Sequence, residues 1–263
     1  EKGILGADFA KEIEGAGACI QAGEAGNLVP AGAAAWLPCT AAQAQAAVTA
    51  YSAPEGMRFT VSEEREDTCI RCKGRNAPSH SPARGVSAIQ GLLHVIAGCE
   101  GAPGALRDAA GELLGLMGEQ PDGAAMGIRC ADDVSGELTT NLGMLSLNDG
   151  MLTAKLDVRA PVTVSLDDVA AKVKDAFAGQ GYHCAGEHLK HPLYVPADSS
   201  FIQTLCRVYE TVAGEEAVLS AIGGGTYARA FPNCVCFGSV YPKEELTVHS
   251  PNERTLRANI IKN

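Results

Sequence analysis

Three consecutive glycines followed by a threonine, Gly223-Gly224-Gly225-Thr226, form the part of this 263-residue chain best suited to chemistry. Without side chains, glycine leaves its backbone N–H groups open to close approach by an anion, and the threonine hydroxyl adds another donor. That composition suits a carboxylate or a phosphate. The same tetrapeptide can also be a plain turn between two elements. What favours a site is the segment after it: the apolar run Cys234-Val-Cys-Phe-Gly238, a Pro-Lys-Glu-Glu turn, and then His249-Ser-Pro-Asn252-Glu253. A histidine at that point can ligate a metal or carry a proton.

Other candidates are weaker. The paired carboxylates Glu63-Glu64, Glu215-Glu216 and Glu244-Glu245 stand in charged, turn-like settings and read as solvated surface. No HExxH or HxD gives a credible zinc cluster. The one CxxC, Cys69-Ile-Arg-Cys72, has no second ligand pair, and a strand over Asp67 to Lys73 would point residues three apart to opposite faces. The ten cysteines are scattered through apolar runs, as at Cys19, Cys99, Cys206, Cys234 and Cys236, and read as small buried hydrophobes in a reducing, cytoplasmic setting. His94 falls on a helix at the edge of its apolar face, and His183, His188 and His191 give no ligand geometry.

The motifs taken in order carry a resemblance. The run from Ala221 to Glu253 resembles the C-terminal signature of the dinuclear zinc exopeptidases of the aminoacylase and carboxypeptidase type, most closely the bacterial peptidase V-type dipeptidases. Upstream, Glu24-Ala-Gly-Asn27-Leu-Val-Pro30, Gly74-Arg-Asn-Ala-Pro-Ser-His80-Ser-Pro82 and Leu156-Asp-Val-Arg159-Ala-Pro161 continue it in the family's order. His191 to Pro196, Phe201 to Leu205 and Val208 to Glu210 follow. The resemblance implies a substrate that is a dipeptide or an N-acyl amino acid and a cofactor of two zinc ions. It also implies that the chain is a fragment, because the family's other metal ligands and its general base precede the equivalent of Glu1. On this reading His249 is a metal ligand, Asn27 faces the substrate, and Arg159 binds its carboxylate with a planar fork. Gly224, Gly225 and Thr226 complete that anion site. Where the family has an oxyanion-stabilising histidine this chain has Pro78, so His80, two residues on, is expected to take the role.

These residues need a scaffold, and hydrophobic content of 46% is enough for a sizeable core. Thr40-Ala-Ala-Gln43 is a capping box opening a helix. Strands are predicted over Gly26 to Leu37, Met57 to Arg65 and Asp67 to Lys73, and a helix over Ala83 to Cys99. A second half repeats the plan: strands over Gly136 to Asn148 and Met151 to Ala160 joined at Asn148-Asp149-Gly150, a helix opening at Ser165, and a short strand over Tyr182 to Cys184. Helix-like Ala105 to Met117 lies in the link between them, and a helix over Ser200 to Ala213 and a buried strand over Cys234 to Phe237 follow. The fold class is therefore α/β, with antiparallel strands covered by helices on one face. The expected domains are a tail over 1–12, a lid over 13–190 made of lobes 13–100 and 124–190, and part of a catalytic domain over 191–263.

A formal net charge of −10 and the lack of a basic stripe argue against nucleic acid, and no apolar run reaches membrane-spanning length. Self-association is expected through the 191–263 segment, with its apolar surface uncovered. The chain alone is expected to be inactive. A deacylase of the same family and a noncatalytic association module are the alternatives to a dipeptidase.

Overall fold

The computed structural model describes residues 1–15, 17–64, 66–237, 247 and 252–262. Its centre is one antiparallel eight-stranded sheet in the order β12-β1-β11-β10-β2-β4-β6-β5. These strands are β1 (Gly3–Glu12), β2 (Cys19–Ala22), β4 (Gly32–Leu37), β5 (Arg58–Glu64), β6 (Asp67–Lys73), β10 (Thr139–Asn148), β11 (Met151–Ala160) and β12 (His183–Lys190). Two small ladders lie beside it, β3 (Leu28–Val29) with β7 (Ala77–Pro78) and β8 (Ala131–Asp132) with β9 (Gly136–Glu137). Helices α1 (Ala41–Ala50), α2 (Ala88–Gly98), α3 (Gly104–Met117) and α4 (Leu166–Gly179) share one core with the sheet, followed by α5 (Ser200–Ala213) and α6 (Arg257–Lys262). The fold is mixed α/β.

The period of two in the strands decides which face the helices cover. On β1 and β11, Leu5, Ala7, Phe9, Ala154, Leu156 and Val158 are buried against the helices. Phe9 stacks on Phe177 of α4 with ring centroids 3.8 Å apart, and Tyr182 meets Phe177 edge-on at 5.7 Å. The alternate residues, Asp8, Asp157, Arg159 and Asn141, share the opposite face. That polar face is where the motif loops gather. The two halves meet where β10 pairs with β2 over Leu145 to Leu147, so the sheet runs unbroken through both. Gly3–Glu12 falls within the expected 1–12 tail, and it is the second strand of the sheet, paired on both sides.

Local signals account for the connections. Thr40 and Gln43 form the capping box, with Gln43 N donating to Thr40 Oγ1 at 3.2 Å and Thr40 N to Gln43 Oε1 at 3.0 Å. Asp149 (φ 49°) and Gly150 (φ 79°) make the tight turn between β10 and β11. Ser87 and Ser165 cap α2 and α4.

Several expectations are corrected. The helix expected over Ala83 to Cys99 divides into a short 3₁₀ turn (Pro82–Arg84) and α2, because Val86 is held extended by a two-way backbone pairing with Arg75. The last strand of the second half is longer, His183 to Lys190, since the full edge of β1 is open to it. Cys234 to Phe237 is not a strand. Among the described residues nothing pairs with it, and Cys236 and Phe237 are exposed rather than buried. Cys69 and Cys72 are both buried free thiols, and burial pushes Cys72 up to about 12, which leaves it unreactive. His94 is exposed, stacked on Tyr51 at 4.9 Å. Among the described residues no helix is long and apolar enough to cross a membrane.

Candidate functional site

The site is built outward from a bulge in β10. The register against β11 shifts between Leu142 and Met144, making Gly143 the extra residue. A Cβ on Gly143 would lie 2.1 Å from the Gly26 carbonyl oxygen, so only glycine lets the 26–28 turn sit this close. Buried Asn141 then fixes that turn, donating from Nδ2 to Gly26 O at 3.2 Å and to Leu28 O at 2.8 Å. Asn27 is thereby held at the tip with its side chain exposed, and its carbonyl accepts from Ser79 N at 3.0 Å. Gly143→Ala is expected to destabilise the fold by about 1–3 kcal/mol, since the clash is with backbone. Gly115→Ala in α3, where added bulk meets open space, should instead be neutral or stabilising. Thermal unfolding of the two variants checks this, and equal melting would contradict it.

The segment expected to carry His80 is extended only to Pro78. Ser81 N donates to Pro78 O at 2.9 Å, closing a tight turn, and Thr139 Oγ1 binds Ser79 O at 3.0 Å. The turn carries His80 to the polar face, where a Cβ on Gly223 would fall 2.2 Å from the His80 Cβ. Glycine at 223 is what permits this contact. Partial desolvation, and then the positive charge of Arg159, push His80 below the usual histidine range, so its imidazole is neutral at pH 7.

Arg159 and Asp157 alternate on β11, hence on one face, and both are 6% exposed. Nε donates to Asp157 Oδ1 at 2.6 Å and Nη2 to Oδ2 at 2.9 Å, a bidentate pair, while Nη1 donates to Gly223 O at 2.8 Å. Three of the five guanidinium N–H groups are thus engaged, leaving one on each Nη. The donors of Thr226 are taken up by the side chain of Glu1. Glu1 Oε1 accepts from Thr226 N at 3.0 Å and from the Thr226 hydroxyl, and Oε2 pairs with Arg229 Nε at 2.5 Å. A Cβ on Gly225 would lie 3.1 Å from Arg229 Nε, whereas one on Gly224 would meet nothing within 4 Å.

The structure therefore brings Asn27, His80, Arg159 and the start of the glycine loop together, with Gly225 and Thr226 on the Glu1 side. His249 lies outside the described residues. Among the described residues no three His, Cys, Asp or Glu side chains converge to hold a cation, so the groups here do not make up a zinc centre. Sequence reading missed Asp157, Asn141, Glu1 and Arg229. Asp157 carried a readable signal, the two-residue offset from Arg159 on a strand; the other three are joined to the site only by the fold.

A knot of hydrogen bonds ties down the loop that follows β11. Asp132 accepts from Val134 N, Ser135 N and Oγ, and Thr163 N and Oγ1, tying β8 and β9 to the loop after β11. Burial pushes this carboxyl up, but the donors of Ser135 and Thr163 outweigh it and hold it down at about 2. Its folded pKa is below the ordinary value of 3.8, so its stabilising effect is complete above that pH and fades as pH falls through about 2. Asp132→Asn should therefore melt below wild type at pH 6 and converge with it near pH 2. A gap independent of pH would contradict this.

Comparison with known proteins places the chain beside dipeptidases. It is 30% identical over 196 residues to the Bacillus subtilis protein named "Putative dipeptidase YtjP", covering 72% of this chain and 40% of that protein. It is 31% identical over 140 residues to the "Beta-Ala-Xaa dipeptidase" of Lactobacillus delbrueckii subsp. lactis, covering 53% and 30%. The chain thus spans well under half the length of these relatives. No family model matches it. Among solved structures, the aminoacylhistidine dipeptidase of Vibrio alginolyticus aligns with TM-score 0.36 and 15% identity, over 82% of this chain and 49% of that one. The curated relatives that match the chain are named dipeptidases.

Proposed function

We propose that this chain is the lid and C-terminal catalytic segment of a zinc-dependent dipeptidase, with β1 included in a lid that reaches to about residue 190. The observation that carries this reading is the convergence of Asn27, His80 and Arg159 with the glycine loop on one polar sheet face, in a chain whose relatives are named dipeptidases. The two free N–H groups of Arg159 are suited to a substrate carboxylate, and neutral His80 to donate to the oxygen that gains charge when the peptide carbonyl is attacked. Asn27 faces the substrate from the opposite loop. Zinc belongs to the whole protein, held by His249 with residues outside this chain, and the chain by itself is inactive.

The test is release of free amino acids from dipeptides by the longer protein, with and without a chelator, beside N-acyl amino acids and beside this chain alone. Metal-dependent cleavage of dipeptides by the longer protein is expected. Cleavage of N-acyl amino acids only would make it a deacylase, and cleavage of neither would leave an association module. The reading includes self-association of the isolated chain through exposed Val208 and Val212 of α5. Sedimentation over a wide concentration range should show it, and a strict monomer would contradict it.

A further inference from the structure

Lys2 is 7% exposed as a residue, with its ammonium partly buried. It carries three N–H donors, and the hydrogen bond the structure gives it is to the Glu137 carbonyl oxygen. Among the described residues no carboxylate forms an ion pair with it; Asp132 and Glu137 act on it only from farther away. Burial is the largest influence on this amine and lowers its pKa. A buried cation without a counter-charge at contact distance is costly, and that cost falls when an anion arrives.

Two neighbouring cations are already countered. Arg159 is paired with Asp157, and Arg229 with Glu1. Arg84 is exposed to solvent. The backbone of Lys2 is held from both sides, its N–H donating to Ile222 O at 3.0 Å and its carbonyl accepting from Arg229 Nη2 at 2.5 Å. Its side chain shares the face of Ile4, the residue opposite Arg159. Ile222, which accepts from the Lys2 N–H, directly precedes the Gly223 that touches His80 and Arg159, and the Lys2 charge is among those that lower the His80 pKa.

We propose that Lys2 is a binding residue for the substrate's free carboxylate, supplying the counter-charge that Arg159, neutralised by Asp157, does not. This deepens the dipeptidase reading and rests on it. The experiment is an NMR titration of the chain with a dipeptide bearing a free C-terminal carboxylate and with the C-terminal amide of the same dipeptide. It is run on wild type, Lys2→Met and Lys2→Arg, with thermal melts to establish that each is folded. Wild type should bind the acid at least tenfold tighter than the amide; Lys2→Met should lose that preference and Lys2→Arg recover part of it. Preference for the acid that survives in folded Lys2→Met, or no preference in wild type, would overturn the proposal. Because binding is read without turnover, an absence of hydrolysis in the longer protein would fail the dipeptidase reading separately. If Lys2→Met does not fold, Lys2→Arg and Lys2→Gln decide by the same comparison.

Discussion

Asp157→Ala is expected to lower the free energy of unfolding by about 3–5 kcal/mol, because it strands the Arg159 guanidinium in a buried position without its counter-charge. Both residues are 6% exposed, and two of the three hydrogen bonds made by Arg159 go to Asp157. The remaining bond, to Gly223 O, is expected to loosen as the guanidinium seeks water. Denaturant unfolding measures the loss. Removing both charges with Asp157→Ala and Arg159→Met should recover much of it, since the desolvated charge is then gone. A single variant within about 1 kcal/mol of wild type would mean that the pair does not support the fold.

His80→Ala in the longer protein should reduce turnover of a saturating dipeptide by about a hundredfold or more, with little change in KM. Loss of one preorganised oxyanion donor costs roughly 2.7–4 kcal/mol in other acyl-transfer sites. The turn at Pro78 to Ser81 and the contact with Gly223 hold the His80 backbone in place, and its lowered pKa keeps the ring neutral, able to donate from one nitrogen at pH 7. The family histidine would stand at the Pro78 position; here Pro78 pairs with Leu28 in the small ladder and His80 sits at the turn that follows. Unchanged turnover would make His80 an ordinary loop residue.

Local chemistry was readable in the sequence, and long-range partnership much less so. Thr40 with Gln43, and Asp149 with Gly150, specify their helix start and hairpin through atoms within three residues, so their patterns suffice. The buried faces of α2 and α4 follow from helical spacing in the same way. Cys234 to Phe237 had the composition of a strand, but a strand exists through its neighbour's hydrogen bonds, which composition does not report. Among the candidate site residues, Asn27, His80 and Arg159 were singled out through the ordered motifs. What holds them was hidden by distance along the chain: Asn141 reaches Gly26 and Leu28 across 115 and 113 residues, and Thr226 reaches Glu1 across 225. The donors of Thr226 are engaged by the chain's own Glu1 side chain.

On the proposed function, this polar sheet face receives the free carboxylate end of a dipeptide. The most direct measurement is kcat/KM of the longer, zinc-loaded protein for a dipeptide and for the C-terminal amide of the same dipeptide, with the scissile bond and leaving amine otherwise alike. Preference for the acid by at least a hundredfold, about 2.7 kcal/mol of differential transition-state binding, is the predicted result. Equal rates for acid and amide, in an enzyme that cleaves both, would contradict it.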